Sequence, residues 1–260
     1  MLHCDLALAV RLEKAAAAMG RDVVDAHRCL FPASNAAWID CAGGVASFLD
    51  EASPLTQIRG AGMITPTAES SLDAVEAFYE ERMAPVSFVL SPFADAALFT
   101  YLSRRGYELG AFEHTLAREV TPHDADPDVV EATGDQEWSR AMAEAFFDVV
   151  TPSGVVLAQT ISAVPTCKNV IVRAGDVPAA AAQIDIRDGL ATLQCDGTIR
   201  RYREAGLQKK LVRARLHIAF NNGCDIATAD VQPGSLSHRN YEKCGFQIAY
   251  TKVTLIKPCF

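Results

Sequence analysis

The chain has 260 residues, of which 50% are hydrophobic and 22% charged, with a formal net charge of −8. This length fits one large domain or two of about 130 residues. The composition excludes disorder, collagen or a coiled coil as the main architecture. The charge is uneven: residues 1–123 hold nine Lys/Arg against sixteen Asp/Glu, whereas 124–260 hold fifteen against sixteen. Eight cysteines (Cys4, Cys29, Cys41, Cys167, Cys195, Cys224, Cys244 and Cys259) form no C-x-x-C pair and no cluster with His at zinc spacing, so no metal site is expected. The first twenty residues carry Asp5, Arg11, Glu13 and Lys14, and no run of about 18 apolar residues occurs. A cytoplasmic protein without a membrane partner is the expectation.

In chain order, Asp5 to Met19 is Ala-rich with helical spacing. Leu72, Val75, Phe78 and Tyr79 fall on one face of a second helix, capped by Ser70 or Ser71. Val86 to Leu90 reads as a buried strand, Ala94 to Arg104 as a helix, and Glu108 to Val120 as one or two closing strands. Thr121 to Asp128 is polar with two prolines and reads as a linker. Beyond it come a strand at 129–132 and a helix at 135–147 with Trp138, Met142, Ala145 and Phe146 on one face. Val149 to Thr166, with Pro152, Gly154 and Pro165, reads as a mobile lid or rim.

Strands at 170–173, 178–187 and 190–198 follow, the last two as a hairpin about Asp188-Gly189. Ala179 to Ala182 prefers helix, yet its context asks for strand. A long helix runs from Gly206 to Phe220 and stops at Asn221-Asn222-Gly223. A strand at 225–231, a short helix at 235–243 and a strand at 247–257 end the chain. The order strand, proline, helix, Gly-aromatic, strand occurs at 86–118 and again at 226–257, an offset that suggests two related halves.

Arg200 to Arg215 contains seven basic residues against Glu204 alone, which suggests an anion site inside an acidic protein or else a solvated helix face. The stretch lies between a strand and a long helix, where unpaired N–H groups and the positive helix end suit a pyrophosphate. Gly206 would let a ligand approach the backbone closely. The loop is neither G-x-x-x-x-G-K-[ST] nor G-x-G-x-x-G, which argues against nucleotide triphosphatases and dinucleotide folds.

Arg203-Glu204-Ala205-Gly206-Leu207-Gln208 resembles the acetyl-CoA loop, [Q/R]-x-x-G-x-[G/A], of the GNAT superfamily of N-acetyltransferases. Gln208 departs from the usual last residue. Tyr241-Glu242-Lys243-Cys244-Gly245-Phe246 is similar to that family's second signature, about 35 residues on. Gly234 stands where an Asn is often found, so that Ser235, Ser237 or Asn240 would supply the lost hydrogen bond.

The resemblance implies an α/β (α+β) fold, with a mixed, mostly antiparallel central sheet flanked by helices. It implies the GNAT fold in tandem: a degenerate copy at 1–124 without a CoA loop, and an intact acetyl-CoA-binding catalytic copy at 125–260. In the first half, Arg59-Gly60-Ala61-Gly62-Met63-Ile64-Thr65-Pro66 falls where the loop would be.

The resemblance further implies direct transfer of acetyl from acetyl-CoA to an amine. Thr198, Arg203, Glu204, Ala205, Gly206, Leu207, Gln208, Ser237 and Asn240 would hold the cofactor, and Tyr241 would be the general acid at the sulfur. The strand near Asp196 to Thr198 would splay from its neighbour and polarise the acetyl carbonyl. Asp185, Asp196 and Glu131 remain alternative general bases, beside a water chain. The expected acceptor is a small-molecule amine and the expected state a monomer or homodimer. A non-catalytic acyl-CoA-binding or regulatory module is the alternative. The net charge and the lack of interleaved aromatics oppose nucleic-acid binding.

Overall fold

The computed structural model describes residues 2–122, 125–132 and 135–258, with the Asp135 side chain left outside that description. Cys259 and, within the expected linker, His123 and Asp124 lie outside the described residues. The chain forms two compact units, residues 3–114 with 249–260 and residues 115–248. The sequence division at 124/125 kept the last strand with the second half; the compact units group its residues from Ala249 on with the first and Gln247 and Ile248 with the second.

The first unit begins with α1 (Leu6–Leu30), whose N-cap Asp5 accepts from the Leu8 amide. Strands β1 (Ala37–Cys41), β2 (Gly44–Phe48) and β3 (Gln57–Arg59) follow, then α2 (Ser70–Glu80), β4 (Val86–Leu90) and α3 (Ala96–Arg104). Its sheet runs β1-β2-β3-β4 and continues to the C-terminal strand β11 (Gln247–Lys257). β3 and β4 are parallel, whereas β11 pairs antiparallel with β4, Val253 opposite Leu90. Leu72, Val75, Phe78 and Tyr79 on α2 are buried against Ile58, Phe88 and Leu90, as the helical spacing demands. The strands at 37–59 and the extension of α1 beyond Met19 were not anticipated.

β5 (Glu108–Glu119) starts in the first unit and ends in the second. The second unit then contains β6 (Val129–Glu131), α4 (Asp135–Phe147), α5 (Pro152–Ser162), β7 (Cys167–Ala174), β8 (Val177–Arg187), β9 (Leu190–Thr198), α6 (Leu207–Asn221), β10 (Ile226–Val231) and α7 (Leu236–Glu242). Its strand order is β5-β10-β9-β8-β7-β6. β6 to β9 pair antiparallel, and β9 with β10 parallel.

Two local expectations are settled by packing. Ala179 to Ala182 is strand because β8 is paired on both sides, and Ala180 and Ala182 pack with Leu211 and Val170. The expected lid at 149–166 is instead largely the helix α5. Thr151 caps it by accepting from the Gly154 amide, and Pro152 occupies the first turn, where its missing N–H costs nothing.

Candidate functional site

β9 and β10 begin as a parallel pair and then part. Their register runs Leu190–Ile226, Ala191–Ala227 and Thr192–Thr228 and stops there, although β9 continues to Thr198 and β10 to Val231. The cause is visible on the other edge of β9. Against β8, Ala181 pairs with Gly197 but Gln183 pairs with Gln194, so Cys195 and Asp196 together face one residue. This is a β-bulge. Cys195 takes the left-handed φ of +57°, a strained conformation for a side chain of its size. Burial and the neighbouring Asp196 push its thiol up to about 12.

Beyond Thr198 a short 3-10 turn (Arg200–Tyr202) leads into the loop and then α6. Glu204 and Gly206 are both left-handed, at φ +71° and +75°. Among the described residues, the amides of Glu204, Ala205, Gly206 and Leu207 donate to no other protein group. Arg203, Glu204 and Ala205 are exposed. Open amides at the start of a fifteen-residue helix, with the positive end of its dipole behind them, make an anion cradle.

The basic run is less free than its sequence suggests. Arg203 donates to the carbonyls of Thr198 and Ala145 and pairs with Asp148 at 2.6 Å. Arg201 pairs with Glu144, and Lys210 with Asp128. The Arg203 side chain therefore clasps the loop to the end of α4, leaving the backbone to face the loop's mouth. Arg215, counted with that run, is fully buried. Among the described residues, Arg200, Lys209 and Arg213 of the run form no ion pair.

Tyr241, on α7, is buried with its ring edge-on to Phe246. Its hydroxyl donates to Asp196 at 2.6 Å and accepts from Arg215 at 3.4 Å. Arg215 pairs with Asp196 at 2.5 Å. Burial raises the phenol well above its ordinary value; Arg215 pulls it down and Asp196 pushes it further up. Burial works against the Arg215 charge, but Asp196 and Tyr241 outweigh it and the guanidinium is held more firmly protonated than usual.

Gln208 extends the network from the first turn of α6. Its amide nitrogen donates to Ser237 at 2.8 Å and lies 3.4 Å from Asp196, while its oxygen accepts from Asn240 at 2.7 Å. The residue that departs from the expected loop pattern thus ties α6 to α7. Ser235 caps α7, and Gly234 donates to the His238 ring.

The structure therefore brings Tyr241 and Gln208 to Asp196, with Ser237 and Asn240 on the Gln208 amide and with Thr198 and residues 203–207 forming the adjoining loop. The other two candidate bases lie apart from this group. Asp185 is buried in an ion pair with Arg187 at 2.5 Å, and Glu131 pairs with Lys168 at 3.8 Å on an exposed strand. The sequence pattern places Arg215 in the basic run, not in this cluster; its position between the apolar Ala214 and Leu216, on a helix whose buried face includes all three, was the signal for burial.

No protein-family model matches the chain, and no curated protein matches it. Solved structures do. A GCN5-related N-acetyltransferase from Kribbella flavida matches 92% of this chain and 95% of its own, at TM-score 0.63 and 18% identity. The chain has the GNAT fold. A second GCN5-related N-acetyltransferase, from Sphaerobacter thermophilus, covers 72% of this chain and 66% of its own at TM-score 0.55 and 14% identity. A tandem GNAT protein from the clavulanic acid biosynthesis pathway covers 74% and 68% at TM-score 0.54 and 8% identity. At these identities the likeness carries the GNAT fold, and the chemistry rests on the residues. Among the described residues, no helix is long and apolar enough to cross a membrane.

Proposed function

We propose that the second unit is an acetyl-CoA-dependent N-acetyltransferase that acts on a small-molecule amine. The observation that carries this reading is the parting of β9 from β10 beside a loop of unpaired amides at the start of α6. The donor set fits the cofactor: amides of residues 204–207 for a pyrophosphate, and the fork between the strands for the extended arm that joins it to the thioester. Acetyl-CoA supplies an acyl group activated for attack by a neutral amine. Backbone N–H groups of β9 beyond Thr192, no longer paired with β10, polarise the acyl oxygen. The C–N bond forms as the C–S bond breaks: the Tyr241 hydroxyl, protonated across the whole physiological range, donates to the departing sulfur after turning from Asp196, and the amine gives up a proton to water, from which the phenolate is restored. Tandem GNAT halves, the second holding the cofactor, are part of this reading.

Acetyl-CoA at about 100 times its dissociation constant contributes about 2.7 kcal/mol of stability. The expected result is a melting shift of a few degrees, together with thiol release from acetyl-CoA in the presence of at least one member of an amine panel. No shift across millimolar acetyl-CoA rejects the proposal. A second reading, an acyl-CoA-binding module without turnover, is favoured by one observation: the Tyr241 proton is already committed to Asp196. Binding without thiol release from any amine would select it.

A further inference from the structure

Arg215 is a long, charged side chain with no exposure to solvent, and all three of its nitrogens are used. Nε donates to Leu211 in its own helix. One terminal nitrogen reaches the carbonyls of Gln183 and Gln194 at 2.9 and 3.2 Å, the residue pair at which the β8–β9 register shifts. The other meets Asp196 and the Tyr241 hydroxyl. A single planar group thus holds the bulge on one side and the phenol on the other. A guanidinium suits this task because its donors diverge in a fixed plane; an ammonium offers one nitrogen.

Burying such a pair is a poor route to stability, since desolvation opposes the attraction and apolar replacements of both partners are often neutral or better. The pair's place, between the bulge of β9 and the Tyr241 hydroxyl, suggests a different role. We propose that Arg215 and Asp196 are positioning residues: together they fix the bulge of β9 and hold the Tyr241 oxygen beside the fork between β9 and β10, into which its proton turns. This rests on the reading of that fork as the acyl-transfer site. The groups facing the phenol are Arg215 from α6, Asp196 from β9 and the uncharged Phe246 ring, with the neutral Cys195 thiol beside Asp196.

The test uses the full chain and needs no acceptor for its first arm. Phenolate absorbance is titrated in the wild type, Asp196→Asn, and the double variant Arg215→Met/Asp196→Asn, with Tyr241→Phe added to each to isolate the Tyr241 signal. With Asp196 neutral, Arg215 acts on the phenol unopposed. Asp196→Asn is expected to show Tyr241 ionising at least one pH unit below the wild type, and the double variant to lose that shift. The double variant removes both charges and so guards against misfolding from an unpaired buried ion.

The second arm measures acetyl-CoA affinity and, with a reactive amine from the panel, kcat for Arg215→Lys. Affinity within about twofold of wild type and kcat lower by roughly 10- to 100-fold support positioning. An Asp196→Asn titration identical to wild type, or Arg215→Lys with unchanged kcat, overturns the inference. Failure of the wild type to bind acetyl-CoA rejects the reading of the site instead and leaves the titration to judge the geometry.

Discussion

Residues 60–63 follow β3 in the first unit and are buried; residues 203–205 follow β9 in the second and are exposed. Both loops leave a strand that pairs parallel with the one after the next helix. In the first, Gly62 donates to Ala42 and accepts from the amide of Asp95, and the Asp95 carboxylate takes the amides of Thr67 and Ala97. Asp73 and Glu76, with Arg105 and Lys257, surround the start of α2 with paired charge. In the second, the amides are left open and the following helix carries no acid in its first turn. The same order of elements makes a scaffold where the loop satisfies itself and an anion cradle where it does not.

Each unit also contains a buried cluster of one cation, one carboxylate and one tyrosine. Lys252 and the Tyr250 hydroxyl both meet Glu13, at 3.3 and 2.7 Å, as Arg215 and Tyr241 meet Asp196. Removing the cation alone leaves a buried carboxylate unpaired, which costs about 3–5 kcal/mol. Lys252→Met and Arg215→Met are therefore expected to destabilise by similar amounts in chemical denaturation. Only Arg215→Met is expected to lower turnover per folded molecule. Equal turnover losses in the two variants would erase the functional distinction between the clusters.

The glycines sharpen the contrast at the backbone. Gly60 and Gly206 have nearly the same left-handed φ, +74° and +75°. Any side chain there costs roughly 1–2 kcal/mol. A Cβ at Gly60 would also lie 2.9 Å from the Glu13 carbonyl, whereas at Gly206 the nearest neighbour is the flexible Lys209 at 3.9 Å. Gly60→Ala is expected to be the more destabilising by 1 kcal/mol or more, from overpacking, with acetyl-CoA affinity unchanged. Gly206→Ala is expected to be milder in stability and to weaken binding, as calorimetry would read. A binding loss confined to Gly60→Ala would move the cofactor to the first unit.

Smaller again is Arg203→Ala. Its partners are half exposed, and exposed ion pairs contribute about 0–1 kcal/mol. The melting temperature is expected to change little, while acetyl-CoA binding weakens several-fold because the loop loses its clasp to Ala145 and Asp148. Unchanged affinity would show that the loop holds its shape without the clasp.

Periodicity and punctuation carried most elements from α2 onward, because Leu72 to Tyr79 mark one helical face and Pro92, Gly106, Gly189 and Gly223 mark the breaks. β1 to β3 were illegible: they are short, mix polar with apolar residues and gain their identity from pairing. α5 was hidden by Gly154 and two prolines, although Thr151-Pro152 is a cap followed by a first-turn proline. The loop and Tyr241 were legible as short patterns. The Arg215–Asp196 pair was not, since its members are 19 residues apart and meet only once the bulge in β9 has formed.

The mildest expected effect tests what closes the first loop. Asp95 is held below the usual carboxylate range by the amides of Thr67 and then Ala97. A depressed value in the folded state adds stability that is complete above the unfolded value of about 3.9 and fades as pH falls through the lower folded value. Asp95→Asn keeps one accepting oxygen and loses the charge, so one of the two amides goes unserved. Wild type and variant are expected to differ at neutral pH and to converge in strong acid, with the difference read from denaturation midpoints at several pH values. A difference that persists unchanged into strong acid would mean that the carboxylate charge does not close the loop. The burial of residues 60–63 would then rest on the Gly62 backbone bonds to Ala42 and Asp95 and on packing against Glu13, Ala17 and Leu98.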